Sequence, residues 1–226
     1  MHQLLANPVY QALISGDKAF SFGTNEVKYF NEEMSPFAGF AEGYAGGFSD
    51  LYDLLPDGRK ILYATISPHL PPPPGWQLQM KIGGLQFIYA GEKIKDEYPG
   101  VVPLNESHVE EMTALVKLTK PGPFGKRTID FGSYFGIFEE GKLVAMTGQR
   151  LHVQNYTELS AVCTHPDHLG KGYASILLKQ QLQIILGEGQ IPFLHVRDDN
   201  GRAIAVYERL GFARSRPMNF YFMKKL

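Results

Sequence analysis

Several things are scarce in this 226-residue chain, and each scarcity narrows its chemistry. There is one cysteine, Cys163, so no disulfide can form within the chain. That fits a reducing compartment. Excess charge is also missing: 22 Lys and Arg stand against 23 Asp and Glu, leaving −1 with His neutral. Neither nucleic acid nor an anionic membrane would attract such a chain generally. No run approaches the roughly 18 uninterrupted apolar residues of a membrane span. The opening MHQLLANPVYQALISGDKAF lacks a basic start followed by a long apolar stretch, so no secretory signal is expected. The expectation is a soluble, cytoplasmic protein. His152, His165, His168 and His195 show neither HExxH nor another compact metal spacing, so no metal is expected. Hydrophobic residues make up 44%, enough to bury a core without staples.

Residues 1–100 are rich in Gly, Pro and aromatics. FNEEMSPFAGFAEGYAGGFSDLYDLL reads as a loop followed by a short helix. RKILYATIS has the β-branched and aromatic bias of a strand. Pro71 to Pro74 cannot lie in a helix interior or central strand and read as a stiff connector. LQMKIGGLQFIYAG reads as two short strands. This half shows no catalytic constellation.

From residue 101 the signals sharpen. NESHVEEMTALVKLT predicts a helix opened by a Ser107–Glu110 capping box. SYFGIFEEGKLVAMTGQRL predicts a hairpin turning at Glu140-Gly141, and TELSAVCT another strand. Tyr173 to Leu186 carries an apolar helical stripe. PFLHV is apolar enough to be buried on both faces. A helix over Asn200 to Leu210, ended by Gly211, precedes a last strand in NFYFMKKL. The expected fold is α/β: a mixed central sheet flanked by helices, with an N-terminal α+β region packed on it.

The stretch HPDHLGKGYASILL puts two glycines before a run of helix formers, although glycine costs a helix about 1 kcal/mol against alanine. A strand running through such a turn into a helix gathers free N–H groups at one electropositive point. That makes a phosphate cradle, in which Gly170 and Gly172 spare an anion any Cβ and Lys171 adds charge at the rim. The glycines alone equally allow a tight structural turn. Neither GxxxxGK with a following Ser or Thr, nor GxGxxG, is present.

In order and spacing these parts resemble the GNAT superfamily of acyl-CoA-dependent N-acyltransferases. The resemblance covers residues 101–226. It rests on a strand ending Thr-His-Pro and a loop like the family's Arg/Gln-x-x-Gly-x-Gly/Ala pattern. It rests also on the PFLHV strand and on Asn200, Ala203, Tyr207, Gly211 and Phe212 at the family's spacing. The arrangement is most similar to the glycine N-acyltransferase C-terminal domain. Leu169 departs from the pattern, standing where the family carries Arg or Gln. His168 or Lys171 is then expected to replace the missing polar side chain.

The resemblance implies a domain over 101–226 and an N-terminal region over 1–100, the latter shaping the acceptor pocket as a degenerate half of similar fold. It implies acetyl-CoA or another short acyl-CoA as cofactor and direct transfer to the primary amine of a small molecule or peptide. The strand before the loop would splay from PFLHV and bind pantetheine through Val162, Cys163 and Thr164. Leu169, Gly170, Lys171, Gly172, Tyr173, Ala174 and Ser175 would hold the pyrophosphate, and an N–H near Val162 would serve the oxyanion. Glu158 is the candidate base, six residues before Thr164 and so on the same face of a regular strand; its plainer reading is a strand-edge carboxylate. Tyr207 is the candidate general acid beside the cofactor sulfur, or a core aromatic. Asn200 would cap its helix and touch the cofactor. Cys163 reads as a buried apolar residue rather than a nucleophile, and His195 as a hydrogen-bonded core histidine or a substrate contact. Two rivals stand: an acyl-CoA-binding regulator without turnover, and an interaction protein that borrows the fold. Oligomeric state is unreadable.

Overall fold

The computed structural model describes residues 2–92, 94 and 98–226. Their strands form one eleven-stranded sheet, in the order β1-β2-β3-β4-β11-β5-β10-β9-β8-β7-β6. The strands are β1 Ser21–Gly23, β2 Val27–Phe30, β3 Phe37–Phe40, β4 Lys60–Thr65, β5 Trp76–Tyr89 and β6 Val101–Pro103. They continue with β7 Phe135–Glu139, β8 Lys142–Val153, β9 Tyr156–Thr164, β10 Ile191–Arg197 and β11 Phe212–Lys225. The helices are α1 Pro8–Ile14, α2 Gly47–Leu54, α3 Val109–Thr119, α4 Tyr173–Gly187 and α5 Gly201–Arg209. None of the described helices is long and apolar enough to cross a membrane.

Strand alternation sorts the helices to two faces. Leu194 and Val196 pack with Leu178 and Leu182 of α4 and Ile204 of α5, while their neighbour Phe193 packs with Val9 and Leu13 of α1. Likewise Ala145 meets Leu177 of α4, and the next residue, Met146, meets Met112 and Leu115 of α3. So α1 and α3 cover one face, and α4 and α5 the other.

The sheet crosses the boundary expected at residue 100. β5 lies between β10 and β11 and pairs antiparallel with both. The expected pair of short strands in LQMKIGGLQFIYAG is this single strand of 14 residues. Gly83-Gly84 does not break it because both glycines serve close approach. A Cβ on Gly83 would come within 2.3 Å of Asp198 Oδ2, and one on Gly84 within 2.9 Å of the Phe220 ring. The expected loop before α2 holds β3, which pairs with β2 and β4. The capping box also differs: Asn105 accepts from Ser107 N–H at 3.0 Å, and His108 Nδ1 accepts from Asn105 N–H at 3.0 Å. Asn105 stands before Ser107, where the chain enters through a 3-10 turn over Glu106–His108.

Candidate active site

β9 and β10 run parallel but stay paired only through Ile191↔Tyr156, Pro192↔Thr157 and Phe193↔Glu158. Beyond that point they part. Val162, Cys163 and Thr164 lie on the parted segment; Cys163 and Thr164 pair with Met146 and Ala145 of β8 on their other side. The edge facing β10 thus offers backbone N–H and C=O groups to a ligand with amides of its own. Ala161 takes φ +52°, and the β8–β9 register shifts between Met146 and Gly148. This bulge re-aims the strand at the mouth of the gap.

The bulge also corrects the face expected for Thr164. Alternation slips by one residue, so Glu158 and Cys163 share the α1 and α3 face while Val162 turns to α4. Cys163 is buried beside Met112 and Leu115, and burial pushes its thiol up to about 11. A thiol so held is a poor nucleophile.

At the open end of the gap stands the glycine loop. Gly170 and Gly172 take φ +85° and +82°, and a Cβ built on either meets nothing within 4 Å among the described residues. Open space on that side rules out crowding by the protein as the reason for glycine. Gly172 caps α4 without a side-chain bond, so the first-turn N–H groups of Tyr173, Ala174 and Ser175 face outward at the positive end of a 15-residue helix. An anion fits there without side-chain rearrangement. Leu169 is exposed and apolar. The two expected substitutes for its missing polar group are engaged elsewhere. Lys171 Nζ lies 2.8 Å from Glu139 Oε2 and 3.2 Å from His168 Nδ1, and this pairing holds the Glu139 carboxyl below its usual range.

Tyr207 packs under the gap from the α4 and α5 face, in the cluster that holds Leu159, Leu194 and Val196. Burial pushes its phenol up to about 12, so at neutral pH it is a hydrogen-bond donor. Asn200 Oδ1 accepts from Ala203 N–H at 3.1 Å and caps α5.

On the opposite face, Glu158 is fully buried. Arg150 grips it twice, Nε to Oε2 at 2.8 Å and Nη2 to Oε1 at 2.6 Å. His195 Nδ1 adds a third contact to Oε1 at 2.7 Å. Burial alone would raise this carboxyl, but the Arg150 charge and the three hydrogen bonds overcome it and hold it at about 2. Glu158 is therefore a fixed carboxylate with little tendency to take up a proton itself. His195 is in turn met by Gln86 of β5, Nε2 to Nε2 at 3.0 Å. Sequence reading missed Arg150 and Gln86. Both are ordinary polar residues in strands, and only strand pairing brings them to Glu158 and His195.

Comparison with known proteins agrees with this geometry. A family model described as FR47-like protein matches residues 134–221, from β7 to β11. No curated protein matches the chain. A solved acetyltransferase of the GNAT family from Novosphingobium aromaticivorans is 32% identical, with 98% of each chain covered and a TM-score of 0.91. A GCN5-related N-acetyltransferase from Kribbella flavida shares the fold at 15% identity and a TM-score of 0.62, covering 96% of this chain and 95% of its own. A GNAT-family acetyltransferase from Colwellia psychrerythraea does so at 13% and 0.55, covering 99% and 98%. With the parted strands, the open glycine turn and this full-length likeness in hand, the chain belongs to the GNAT family of acetyltransferases.

Proposed function

We propose that the protein moves an acetyl or other short acyl group from acyl-CoA to a primary amine by direct attack, in the gap between β9 and β10. The observation that carries this reading is the conjunction of an unpaired strand edge with an open helix N-terminus at its mouth. Pantetheine amides would pair with the edge at Val162, Cys163 and Thr164. The pyrophosphate would sit on the N–H groups of residues 169–175, whose Gly170 and Gly172 leave it room. Asn200, at the start of α5, would lie along the cofactor's path. Bound there, the cofactor supplies an activated acyl carbonyl and a thiolate leaving group.

The chain's own residues then divide the work by face. Tyr207, below the gap, would donate a hydrogen bond to the leaving sulfur. A phenol at about 12 is a weaker acid than a thiol near 8.5, so it steadies the thiolate without surrendering its proton. A strand N–H beside the Ala161 bulge would serve the carbonyl oxygen as charge develops. Glu158, above the gap, would act on the amine through His195, whose Nδ1 it holds. The acceptor would be a small molecule or a peptide bearing a primary amine.

The test is thiol release from acetyl-CoA across a panel of primary amines. Turnover with at least one amine is expected. Tyr207→Phe is expected to lower kcat about 10-fold or more while CoA affinity changes little. Equal losses in both would remove Tyr207 from the leaving-group role. CoA binding without thiol release for any amine would favour the rival reading, a regulator that only binds acyl-CoA.

A further inference from the structure

The polar chain that begins at Arg150 continues past Glu158, and its far end has a defined chemistry. Leu5 presents a carbonyl 2.8 Å from Gln86 Nε2. A carbonyl only accepts, so the amide nitrogen of Gln86 must lie on that side. Its second hydrogen points to His195 Nε2 at 3.0 Å. That ring nitrogen therefore carries a lone pair, and the ring proton sits on Nδ1, donated to Glu158 Oε1 at 2.7 Å. His195 and Gln86 are direct cross-strand partners on β10 and β5. His195 stands two residues past the last β9–β10 pair, on the stretch of β10 that borders the gap.

A second observation sits beside the first. Gln86 is fully buried, yet its Oε1 has no hydrogen-bond partner among the described residues. A buried amide oxygen left unpaired is costly, and such atoms in folded proteins call for an explanation. The imidazole lone pair is thus met by one N–H of an amide whose own oxygen is left unpaired. The complementary ligand is a nitrogen bearing two or more hydrogens.

We infer that His195 Nε2 is the atom that takes the proton of the acceptor amine, and that Gln86 Oε1 holds a second hydrogen of the same nitrogen. This rests on the acyl-transfer reading above. The amine enters the place of the Gln86 N–H. Its N–H bond breaks as Nε2–H forms, and its electron pair bonds the acyl carbon. The C–S bond then breaks with both electrons on sulfur, beside Tyr207. The proton count closes when His195 gives up its proton and the thiolate gains one. Glu158 and Arg150 are positioning residues: the carboxylate holds Nδ1–H and offsets the imidazolium charge. Two acceptors favour a primary amine over its N-methyl form.

The groups facing the ring are few. Glu158 comes from β9, with Arg150 of β8 behind it. The Phe220 ring of β11 at 5.4 Å, the Phe193 ring at 5.7 Å and Gln86 are uncharged. Tyr134 and Asp17 reach Glu158 only through its charge.

The experiment uses the full chain, acetyl-CoA and the best amine of the panel. The wild type should show a kcat/KM that rises with pH, as a reaction needing one unprotonated base does. His195→Asn keeps a donor for Glu158 and removes the basic atom. It should retain CoA affinity within about 2-fold, lose about 100-fold or more in kcat/KM, and lose that rise. Gln86→Leu should keep the rise and lose most of the preference for a primary over an N-methyl amine. A wild type without the rise, or a His195→Asn enzyme that keeps its rate within about 3-fold, overturns the assignment whatever the stability of the variant. A wild type that binds CoA and acylates no amine overturns the acyl-transfer reading instead, so the two failures are distinct.

Discussion

Glu158 shows how far one residue's neighbours set its chemistry. In the sequence it is a carboxylate at the start of a strand. Folded, it is an anion fixed by Arg150 and His195 with a carboxyl at about 2, against an ordinary 4.5. A carboxyl lowered on folding contributes stability above its unfolded value and loses it as pH falls through the folded one. The unfolding midpoint in urea should thus stay level down to about pH 5 and fall steeply toward pH 2. Glu158→Gln should flatten that fall. It should also cost about 3–5 kcal/mol at neutral pH, because Arg150 is left buried without its partner. A Glu158→Gln chain as stable as wild type, by urea melts at pH 7, would show that the pair contributes nothing. The same variant is a poor probe of catalysis, for it moves Arg150 and His195 together.

At the scale of elements, the glycine loop and α4 act as one device. Gly172 at φ +82° needs the left-handed region, where an alanine costs about 1–2 kcal/mol. None of the described residues stands near the missing Cβ. Gly172→Ala should therefore lower Tm by only a few degrees yet weaken CoA binding 10-fold or more, by isothermal titration. Unchanged affinity would mean that the turn is merely structural. β5 teaches the opposite lesson about glycine. Gly83-Gly84 reads as a break, but the strand runs through it so that the Asp198 carboxylate and the Phe220 ring can approach. β9 gives a third case, since the Ala161 bulge shifts the face of every later residue.

At the scale of the molecule, the sheet is shared between the halves. β5 separates β10 from β11, and β4 covers the far side of β11. Residues 101–226 alone would expose one edge of β10 and both edges of β11, along with apolar faces that α1 now covers. That fragment should be insoluble or molten when expressed by itself, with no cooperative melt by near-UV circular dichroism. Adding residues 1–100 as a separate chain should recover folding only if β5 can insert. A fragment that melts cooperatively and binds CoA would show that the second half is self-sufficient.

The sequence by itself determined most of the second half. The strand, glycine turn and helix from Tyr156 to Gly187, the hairpin at Glu140-Gly141, and α5 with its Asn200 cap and Gly211 at φ +98° all follow from local periodicity, capping and turn chemistry. Those signals lie within a few residues of one another, so a linear reading reaches them. The parting of β9 and β10, the insertion of β5, and the meeting of Arg150, Glu158, His195 and Gln86 were decided only by tertiary structure. Strand pairing joins distant residues, Gln86 and His195 being 109 positions apart, and no local pattern encodes which strands will be neighbours. A buried charge is likewise defined by its partners, and its partners exist only once the sheet has closed around them.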